Sequence, residues 1–434
     1  MKVDNSPARG MRDLLPAEVA TRDHVLSTIT EIYRSYGYQR IETPALEDIT
    51  RLQGGQGGEN EKLIYQVLRR GLPPEVEPRS IVADLVDLGL RFDLTVPLTR
   101  FYGNNHAQLP TPFRALQVGP VWRAERPQKG RYRQFYQCDI DMIGEPGVLA
   151  EAELIEATTS ALAAVGLDNV TVRLSDRRFL TAVAADSGLP EACWDKFFIA
   201  LDKLDKISWD GVRAELAKSE MPGEAVAAAL DKIAALQDTP TGKLLDVLAD
   251  ALPSVPQQSL DDLAATTASL DLLAEERSLA WQFDPTLVRG MGYYTGQIYE
   301  IAHPESSSSV AGGGRYDQLI GRSLGKDVPA CGFSIGFERI VNLLGHQARH
   351  DALAILVEPD VPVAEALSAA RELRHDSRTV EVVRRSGKLG AQLKRLEAAS
   401  FGSFAILQLV DGAVVRSDER ELETSTRTSN DRPQ

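Results

Sequence analysis

The chain contains 434 residues, of which 43% are hydrophobic and 25% are charged, a composition typical of a globular protein with two or three domains. Its formal net charge of −14 argues against indiscriminate binding to nucleic acids. No apolar run approaches the roughly 20 residues of a membrane span, and no signal peptide is visible, so we expect a cytoplasmic protein without membrane contact. The three cysteines lie far apart and the histidines lack ligand spacing, which argues against a disulfide framework or a protein-ligated metal.

The first third of the chain predicts a mixture of helices and strands. Apolar residues recur at helical spacing over 16–36, and Gly37 follows in the place of a C-terminal cap. Residues 38–46 read as one strand, in which Pro44 restricts the strand to an edge or an interface. The other elements predicted here are a loop at 54–61, a strand and a helix within 89–100, a helix at 149–165 and a strand at 169–174.

The most informative segment is 119–144, GPVWRAERPQKGRYRQFYQCDIDMIG. Two alternating runs flank a short loop, which predicts an antiparallel hairpin. In the first run, Arg123 and Glu125 share a face. The return run places four polar residues on one face: Arg133, Gln137, Asp139 and Asp141. Arginines around a carboxylate-bearing floor suit a bound anion that also carries an amine, and the alternative is a solvated charged face.

A change of character follows at about residue 176. From there to about 279 the chain is rich in Ala and Leu at helical spacing, which predicts a helical module inserted between two parts of one sheet. Strand character resumes at 287–301. Two further strands are predicted at 310–316 and 330–335, and a helix begins at Gly336.

Beyond residue 351, short strands alternate with helices. This alternation predicts a small α/β domain with a parallel or mixed sheet. The predicted strands are 352–357, 379–383 and 404–409, and the predicted helices are 363–374 and 389–399. The polar tail at 416–434 is predicted to be disordered.

Basic residues concentrate in this last part of the chain. A local basic surface on an acidic protein can bind a polyanion, and the alternative is a solvated helix face. Eight lysines or arginines lie between 371 and 400: Arg371, Arg374, Arg378, Arg384, Arg385, Lys388, Lys394 and Arg395.

Five sequence blocks, in order, resemble those of the histidyl-tRNA synthetase family of class II aminoacyl-tRNA synthetases. The resemblance runs from Gly10 to about Leu409. The blocks are Pro44 after the first helix, WRAERPQKGRYRQF at 122–135, RGMGYYTG at 289–296, AGGGRYD at 311–317 and GFSIGFERI at 332–340. One departure is Gly292, which stands where many relatives carry Asp.

The resemblance implies an α+β fold, in which helices flank the antiparallel sheet of a class II synthetase. It implies a catalytic domain at 1–345 that contains the helical insertion at about 176–279, and an anticodon-binding-like α/β domain at 351–415. The implied activity is ATP-dependent ligation of L-histidine to tRNA(His) through a histidyl-adenylate. ATP would be a substrate accompanied by Mg²⁺, and the chain would form a homodimer.

The resemblance also implies roles for individual residues. Arg123 and Arg289 would be catalytic cations at the α-phosphate. ATP would be held by Arg123, Glu125, Arg131 and Arg339. Histidine would be held by Asp93, Thr95, Gln137, Asp141, Arg289, Tyr293, Tyr294 and Tyr316.

Two other functions stay open at this point. The first is a synthetase-like regulatory subunit that binds histidine and controls ATP phosphoribosyltransferase. Such relatives generally lose parts of the ATP and tRNA apparatus, whereas all five arginine and glutamate positions of the implied phosphate site are present here. The second is a pure RNA-binding module, which would explain the basic cluster but not the carboxylates of the hairpin.

Overall fold

The computed structural model describes residues 4–54, 60–73, 79–127, 131–205, 207–237, 239–277, 279–288, 293–345, 352–374, 379–399 and 401–422. Most of the loop predicted at 54–61 lies outside these ranges, as do Arg289 and Gly292. Within them, no helix combines the length and the apolar character needed to cross a membrane.

The described part of the chain contains both helices and strands, with one long run of consecutive helices in its middle. The helices are α1 Pro16–Ser35, α2 Ile49–Gln53, α3 Val82–Leu85, α4 Thr95–Asn105, α5 Leu149–Ala164, α6 Arg177–Asp186, α7 Trp194–Leu201, α8 Trp209–Leu216, α9 Gly223–Gln237, α10 Leu244–Ala251, α11 Gln257–Glu276, α12 Asp317–Leu324, α13 Phe337–Leu344, α14 Val363–Arg374 and α15 Leu389–Ala398. The strands are β1 Gln39–Ile41, β2 Leu46–Asp48, β3 Tyr65–Leu68, β4 Val86–Leu90, β5 Phe113–Trp122, β6 Gln134–Ile143, β7 Val170–Asp176, β8 Leu279–Phe283, β9 Gln297–Ala302, β10 Ala311–Arg315, β11 Ala330–Ile335, β12 Leu353–Val357, β13 Val380–Arg384, β14 Ser403–Val410, β15 Ala413–Arg416 and β16 Arg420–Glu421.

The largest sheet has eight strands in the order β1-β5-β6-β11-β10-β9-β7-β8. It is antiparallel except at its two ends, where β1 runs parallel to β5 and β8 runs parallel to β7. Helix α5 packs on β6 and β11, and it buries Leu154 and Leu162 against the sheet. The predicted α+β fold with a flanked antiparallel sheet is therefore confirmed.

The predicted hairpin is formed by β5 and β6, which pair over ten residues each. The predicted helical module is also present, since α6 to α11 lie between β7 and β8 of the same sheet. The two strands of the hairpin are internal strands of the large sheet. The helical module connects β7 to β8, which are the last two strands at one end of that sheet.

Two strand predictions were wrong in detail, and one strand was not predicted. The strand predicted at 38–46 is two strands in different sheets, because β1 joins the large sheet and β2 pairs with β4. Pro44, which has no N–H to donate, lies between them. Among the described residues of the strand predicted at 287–301, only those of β9 form a strand. Strand β8 begins where the predicted helical module ends, and no strand was predicted there.

The chain divides into two compact units. The first comprises Met1–Asp13 and Val25–Leu343, and the second comprises Leu14–His24 and Leu344–Gln434. In the second unit, β12 lies between β13 and β14 in parallel register, and its residues Leu353 and Ile355 are fully buried. An anticodon-binding role for this unit stays a prediction.

The disordered tail predicted from residue 416 starts too early. Strand β15 includes Arg416, and β16 pairs with β14 through Arg420 and Glu421. Leu422 is only 7% exposed because it packs into a cluster with Phe401 and Phe404. Residues 416–422 are therefore ordered by backbone pairing and by one buried leucine, which their polar composition did not indicate.

Candidate active site

A cavity of about 410 Å³ lies in the first unit, against the large sheet. Of the twelve predicted site residues, eleven line it, and Arg289 lies outside the described residues. The eleven are Asp93, Thr95, Arg123, Glu125, Arg131, Gln137, Asp141, Tyr293, Tyr294, Tyr316 and Arg339.

Strand register builds the floor of this cavity. Asp139 of β6 is paired with Ser334 of β11, and Asp141 is paired with Gly332. The next strand, β10, places Gly312 beside Ser334. A Cβ on Gly332 would lie 2.1 Å from Oδ1 of Asp141, so only glycine leaves room for that carboxylate. The small residues therefore keep the floor open and let the acidic side chains of β6 lie across it.

Arg123 follows directly after β5 and is held by three contacts. Its backbone N–H donates to the carbonyl oxygen of Arg133 at 2.9 Å, which closes the hairpin beyond the end of regular pairing. Its Nε donates to the carbonyl oxygen of Phe92 at 3.1 Å. The guanidinium group also lies 5.0 Å from the ring centroid of Phe135. These contacts fix a planar cation at the wall of the cavity.

Two more arginines line the cavity. Arg131 pairs with Glu125 at 3.2 Å, and its side chain is 54% exposed. Arg339, on α13, donates a hydrogen bond to the carbonyl oxygen of Ser309. Both side chains are thus placed to meet a polyanion that enters from solvent.

Asp93 combines a structural contact with a place in the cavity. Its Oδ1 accepts a hydrogen bond from the backbone N–H of Val96 at 3.1 Å, which caps the start of α4. Burial raises the pKa of this carboxyl, while the charge of Arg123 opposes the rise. The hydrogen bond to Val96 alone would indicate a purely structural role for Asp93. Because Asp93 also lines the cavity, its carboxylate can contact a ligand.

Three tyrosines and Asp141 form an aromatic, acidic part of the wall. The hydroxyl of Tyr316 donates to Oδ1 of Asp141 at 2.5 Å. Burial raises the pKa of Asp141 to about 7, although the Tyr316 hydrogen bond lowers it. The rings of Tyr293 and Tyr294 lie 4.3 Å apart, and burial raises the pKa of Tyr293 to about 12. Neutral hydroxyls beside a carboxyl that titrates near neutrality suit a ligand with a weakly basic nitrogen.

Two floor residues were missed as site residues by sequence reasoning. Asp139 lies at the centre of the floor, where Ser334 donates to its Oδ1 at 2.5 Å. Gln137 contacts both residues. The period-two alternation placed Asp139 on the same face as Gln137 and Asp141, which was a sufficient signal for it. No comparable signal pointed to Ser334.

Glu338 was also missed. Its Oε1 accepts from the backbone N–H of Tyr136 at 3.3 Å, and its Oε2 pairs with Arg12 at 3.1 Å. The guanidinium of Arg12 lies 4.4 Å from the ring centroid of Tyr132. Glu338 of α13 therefore contacts both the N-terminal segment and the hairpin. These contacts hold the start of α13, where the adjacent Arg339 lies.

Comparisons with known proteins show which family the chain resembles. A family profile described as histidyl-tRNA synthetase matches residues 10–340. A relative from Leifsonia xyli subsp. xyli, named histidine–tRNA ligase, is 48% identical over 420 residues, which cover 94% of this chain and 96% of the relative.

Two solved structures share the fold. The histidyl-tRNA synthetase of Nostoc sp. PCC 7120 matches with a TM-score of 0.78 at 26% identity, covering 96% of this chain and 97% of that chain. A Bacillus halodurans protein, described as an ATP phosphoribosyltransferase regulatory subunit/histidyl-tRNA synthetase, matches with a TM-score of 0.76 at 21% identity, covering 94% and 99%; this likeness shows the fold alone. The resemblance in the five sequence blocks is confirmed by the profile match and the 48% identity, and the chain belongs to the histidyl-tRNA synthetase family.

Proposed function

We propose that the chain is a histidine–tRNA ligase, which activates L-histidine with ATP and transfers it to tRNA(His). In the first step, a carboxylate oxygen of histidine attacks the α-phosphorus of ATP, pyrophosphate leaves and histidyl-adenylate forms. In the second step, a ribose hydroxyl of the tRNA attacks the carbonyl carbon and AMP leaves. The observation that carries this proposal is one cavity that joins Arg123 to the carboxylates of Asp93 and Asp141.

Phosphoryl transfer of this kind depends on positioning and on cations rather than on a protein nucleophile. Arg123 is the cation for the α-phosphate, because it lines the cavity beside the hairpin and is held there by the carbonyl oxygen of Phe92. Arg131 and Arg339 hold the outer phosphates, and Glu125 accepts from the adenine amino group. Arg289 serves as a second cation at the α-phosphate.

Histidine recognition rests on buried polar groups. Asp93, Thr95 and Gln137 bind the α-ammonium group. Asp141 and the hydroxyl of Tyr294 bind the two imidazole nitrogens, and Tyr316 orients Asp141 through the 2.5 Å hydrogen bond. Because an analogue that lacks one ring nitrogen would leave a buried group unpaired, such a pocket discriminates by about 10⁴-fold.

Mg²⁺ would accompany ATP. The described residues contain no cluster of three or more His, Cys, Asp or Glu side chains that could hold a metal ion by themselves. Glu300 lines the cavity and accepts a hydrogen bond from Ser309, whose carbonyl oxygen contacts Arg339. A magnesium ion held mainly by phosphate oxygens and water fits this donor set, with Glu300 as the nearby carboxylate. The ion would neutralise phosphate charge.

Pyrophosphate exchange tests the first step. With L-histidine, ATP and labelled pyrophosphate, we expect label in ATP only when histidine is present, because the adenylate forms reversibly. Omitting histidine and replacing it by another amino acid are the controls. A protein that binds histidine without any exchange would favour the regulatory-subunit alternative, which the relatives' names support less well than ligation.

The second unit is the proposed contact for the anticodon stem of the tRNA. Of the eight basic residues in the predicted cluster, Arg378 lies outside the described residues, and Arg374 and Arg385 are engaged with Val380 and Glu358. The others are exposed: Arg371, Arg384, Lys388, Lys394 and Arg395. Exposed cations on an acidic chain suit a phosphate backbone.

Charge reversal in the basic cluster should distinguish the contribution of tRNA binding from that of adenylate formation. We expect Arg384→Glu with Lys388→Glu to weaken tRNA charging about tenfold at low salt and to make charging less steeply dependent on salt than in the wild type, because each lost phosphate contact removes about one unit of salt dependence. Pyrophosphate exchange should not change. The measurement compares tRNA charging and exchange at two salt concentrations. Equal losses in both assays would show a structural role.

Self-association and location complete the proposal. Exposed apolar side chains occur around the small sheet β2-β4-β3 and beside it at Leu46, Leu68, Ile81 and Val82, where each is at least 42% exposed. A second copy covering this face would give the homodimer. A monomer in sedimentation experiments at micromolar concentration would contradict the proposed homodimer.

The protein would act in the cytoplasm, where tRNA is charged.

A further inference from the structure

Three polar side chains of the cavity floor form a closed network. The side-chain nitrogen of Gln137 lies 3.1 Å from Oγ of Ser334 and 3.3 Å from Oδ2 of Asp139. Oγ of Ser334 lies 2.5 Å from Oδ1 of Asp139. Strand pairing sets this triangle, because Asp139 of β6 is paired with Ser334 of β11.

When Asp139 is ionised, the network admits one direction of hydrogen bonding. An ionised carboxylate can only accept, so Asp139 accepts from both neighbours. The single proton of the Ser334 hydroxyl is donated to Asp139, so Oγ of Ser334 accepts from Gln137. The two N–H groups of the Gln137 amide thus donate to Asp139 and Ser334. The carbonyl oxygen of the same amide contacts neither of these residues.

The carbonyl oxygen of Gln137 lacks a partner. It is buried, and no donor among the described residues lies within hydrogen-bond distance of it. Gln137 lines the cavity together with Asp93 and Thr95, so a ligand is the group that can supply the donor. A buried carbonyl without a partner is unfavourable, which favours a ligand with an N–H group at this point.

We propose that Asp139 and Ser334 are positioning residues, which hold the Gln137 amide with its carbonyl oxygen toward the α-ammonium group of the amino-acid substrate. The reversed amide would present two N–H donors to that ammonium group and repel it. This inference rests on the proposed function, since it specifies how the histidine site of that reaction recognises an amine. Asp139 acts through Gln137 and needs no contact with the substrate.

The environment of Asp139 explains why the amine matters. Asp139 is 4% exposed, and the carboxylates of Asp93 and Asp141 face it, while Arg123 is the nearby cation. Burial raises the pKa of Asp139 well above its usual range, and the Ser334 hydrogen bond opposes this. A bound ammonium group adds positive charge to the same site and so favours the ionised carboxylate on which the network depends.

The test compares two ligands that differ only in the amine. Calorimetry would measure the Kd of L-histidine and of imidazolepropionate, which keeps the ring and the carboxylate but lacks the ammonium group. Asp139→Asn introduces an N–H that can donate to Gln137 and so permits the reversed amide. We expect the Kd for histidine to rise about 10- to 100-fold, and the Kd for imidazolepropionate to change less than about twofold.

Ser334→Ala and a double variant sharpen the test. Ser334→Ala removes one acceptor for the amide and should weaken histidine binding in the same selective way, to a smaller extent. If Asp139 acts through Gln137, the double variant Gln137→Ala/Asp139→Asn binds histidine no more weakly than Gln137→Ala alone. Asp168→Asn, at an exposed position, is the matched control and should change neither Kd.

The outcomes distinguish this inference from the proposed function. Equal weakening of both ligands by Asp139→Asn, additive effects in the double variant, or no effect on either ligand would each overturn the positioning role. A wild-type protein that binds histidine but shows no pyrophosphate exchange would overturn the proposed ligase function, while the binding comparison would still decide the role of Asp139.

Discussion

Replacing Arg123 by alanine is expected to lower histidine-dependent pyrophosphate exchange about 10³-fold, the usual loss when a preorganised donor to a phosphoryl transition state is removed. Arg123 is anchored by the carbonyl oxygen of Phe92 and by the ring of Phe135, so its charge is already in place before ATP binds. The effect should appear mainly in kcat, because the charge at the α-phosphorus develops as the reaction proceeds. Steady-state exchange kinetics with varied ATP measure it.

Arg126 supplies the matched control for this variant. It lies three residues further along the hairpin loop, it is exposed, and it does not line the cavity. Arg126→Ala should leave exchange within about twofold of the wild type, since Arg126 is not among the residues that line the cavity. Near-normal exchange by Arg123→Ala, in a protein with an unchanged circular dichroism spectrum, would place the reacting phosphate elsewhere.

Asp141→Asn is expected to weaken histidine binding and to stabilise the free protein. The Asn side chain can still accept from the Tyr316 hydroxyl, so the local geometry is kept. Loss of the negative charge facing the imidazole should raise the Kd for histidine about 10- to 100-fold, the cost of losing a charge-assisted hydrogen bond. Calorimetric titration with histidine at pH 8 measures this change.

The gain in stability depends on pH. Burial raises the pKa of Asp141 from 3.8 to about 7, so the folded carboxyl stays protonated between these values while the unfolded one ionises. The contribution of Asp141 to stability is therefore full below the unfolded pKa and is lost as the pH rises through 7. Because Asn does not titrate, the variant does not share this loss. The unfolding free energy of the variant minus that of the wild type should therefore increase by about 3 kcal/mol from pH 5 to pH 8. Urea unfolding of the ligand-free protein at both pH values measures the difference.

Asp48 provides a control with the opposite sign. Hydrogen bonds from Thr50 hold the pKa of Asp48 below its usual range, so Asp48 is ionised in both the folded and the unfolded chain from pH 5 to pH 8. Asp48→Asn should therefore give the same small loss of stability at both pH values. A pH-independent difference for Asp141→Asn as well would mean that the carboxyl of Asp141 ionises normally.

Local patterns predicted the parts of the site that are close in the sequence. Alternation in 119–144 gave the β5–β6 hairpin and the shared face of Gln137, Asp139 and Asp141, because period-two spacing is a direct consequence of strand geometry. The roles of the arginines came from family resemblance, since an exposed arginine has no periodic signature. Helical spacing likewise gave α5 and the helical module.

The contacts and strands that sequence patterns did not predict depend on residues that are far apart in the sequence. Ser334 reaches Asp139 across 195 residues, and Arg12 reaches Glu338 across 326, so no window of sequence contains either pair. Strand β8 was not predicted, because its partner, β7, lies more than a hundred residues earlier, and the parallel pairing stabilises a segment without strong strand signals of its own. The sharp break between β1 and β2 at Pro44 follows from their joining different sheets.

The position of β11 bears on synthesis of the chain by the ribosome. It is the last strand of the large sheet to be translated, yet it lies in the middle, between β6 and β10. A nascent chain that ends before Ala330 has two half-sheets, each with an unpaired edge that can associate with another chain. Emergence of β11 joins the halves and brings Ser334 to Asp139, so the catalytic floor matures only when about three quarters of the polypeptide has left the exit tunnel.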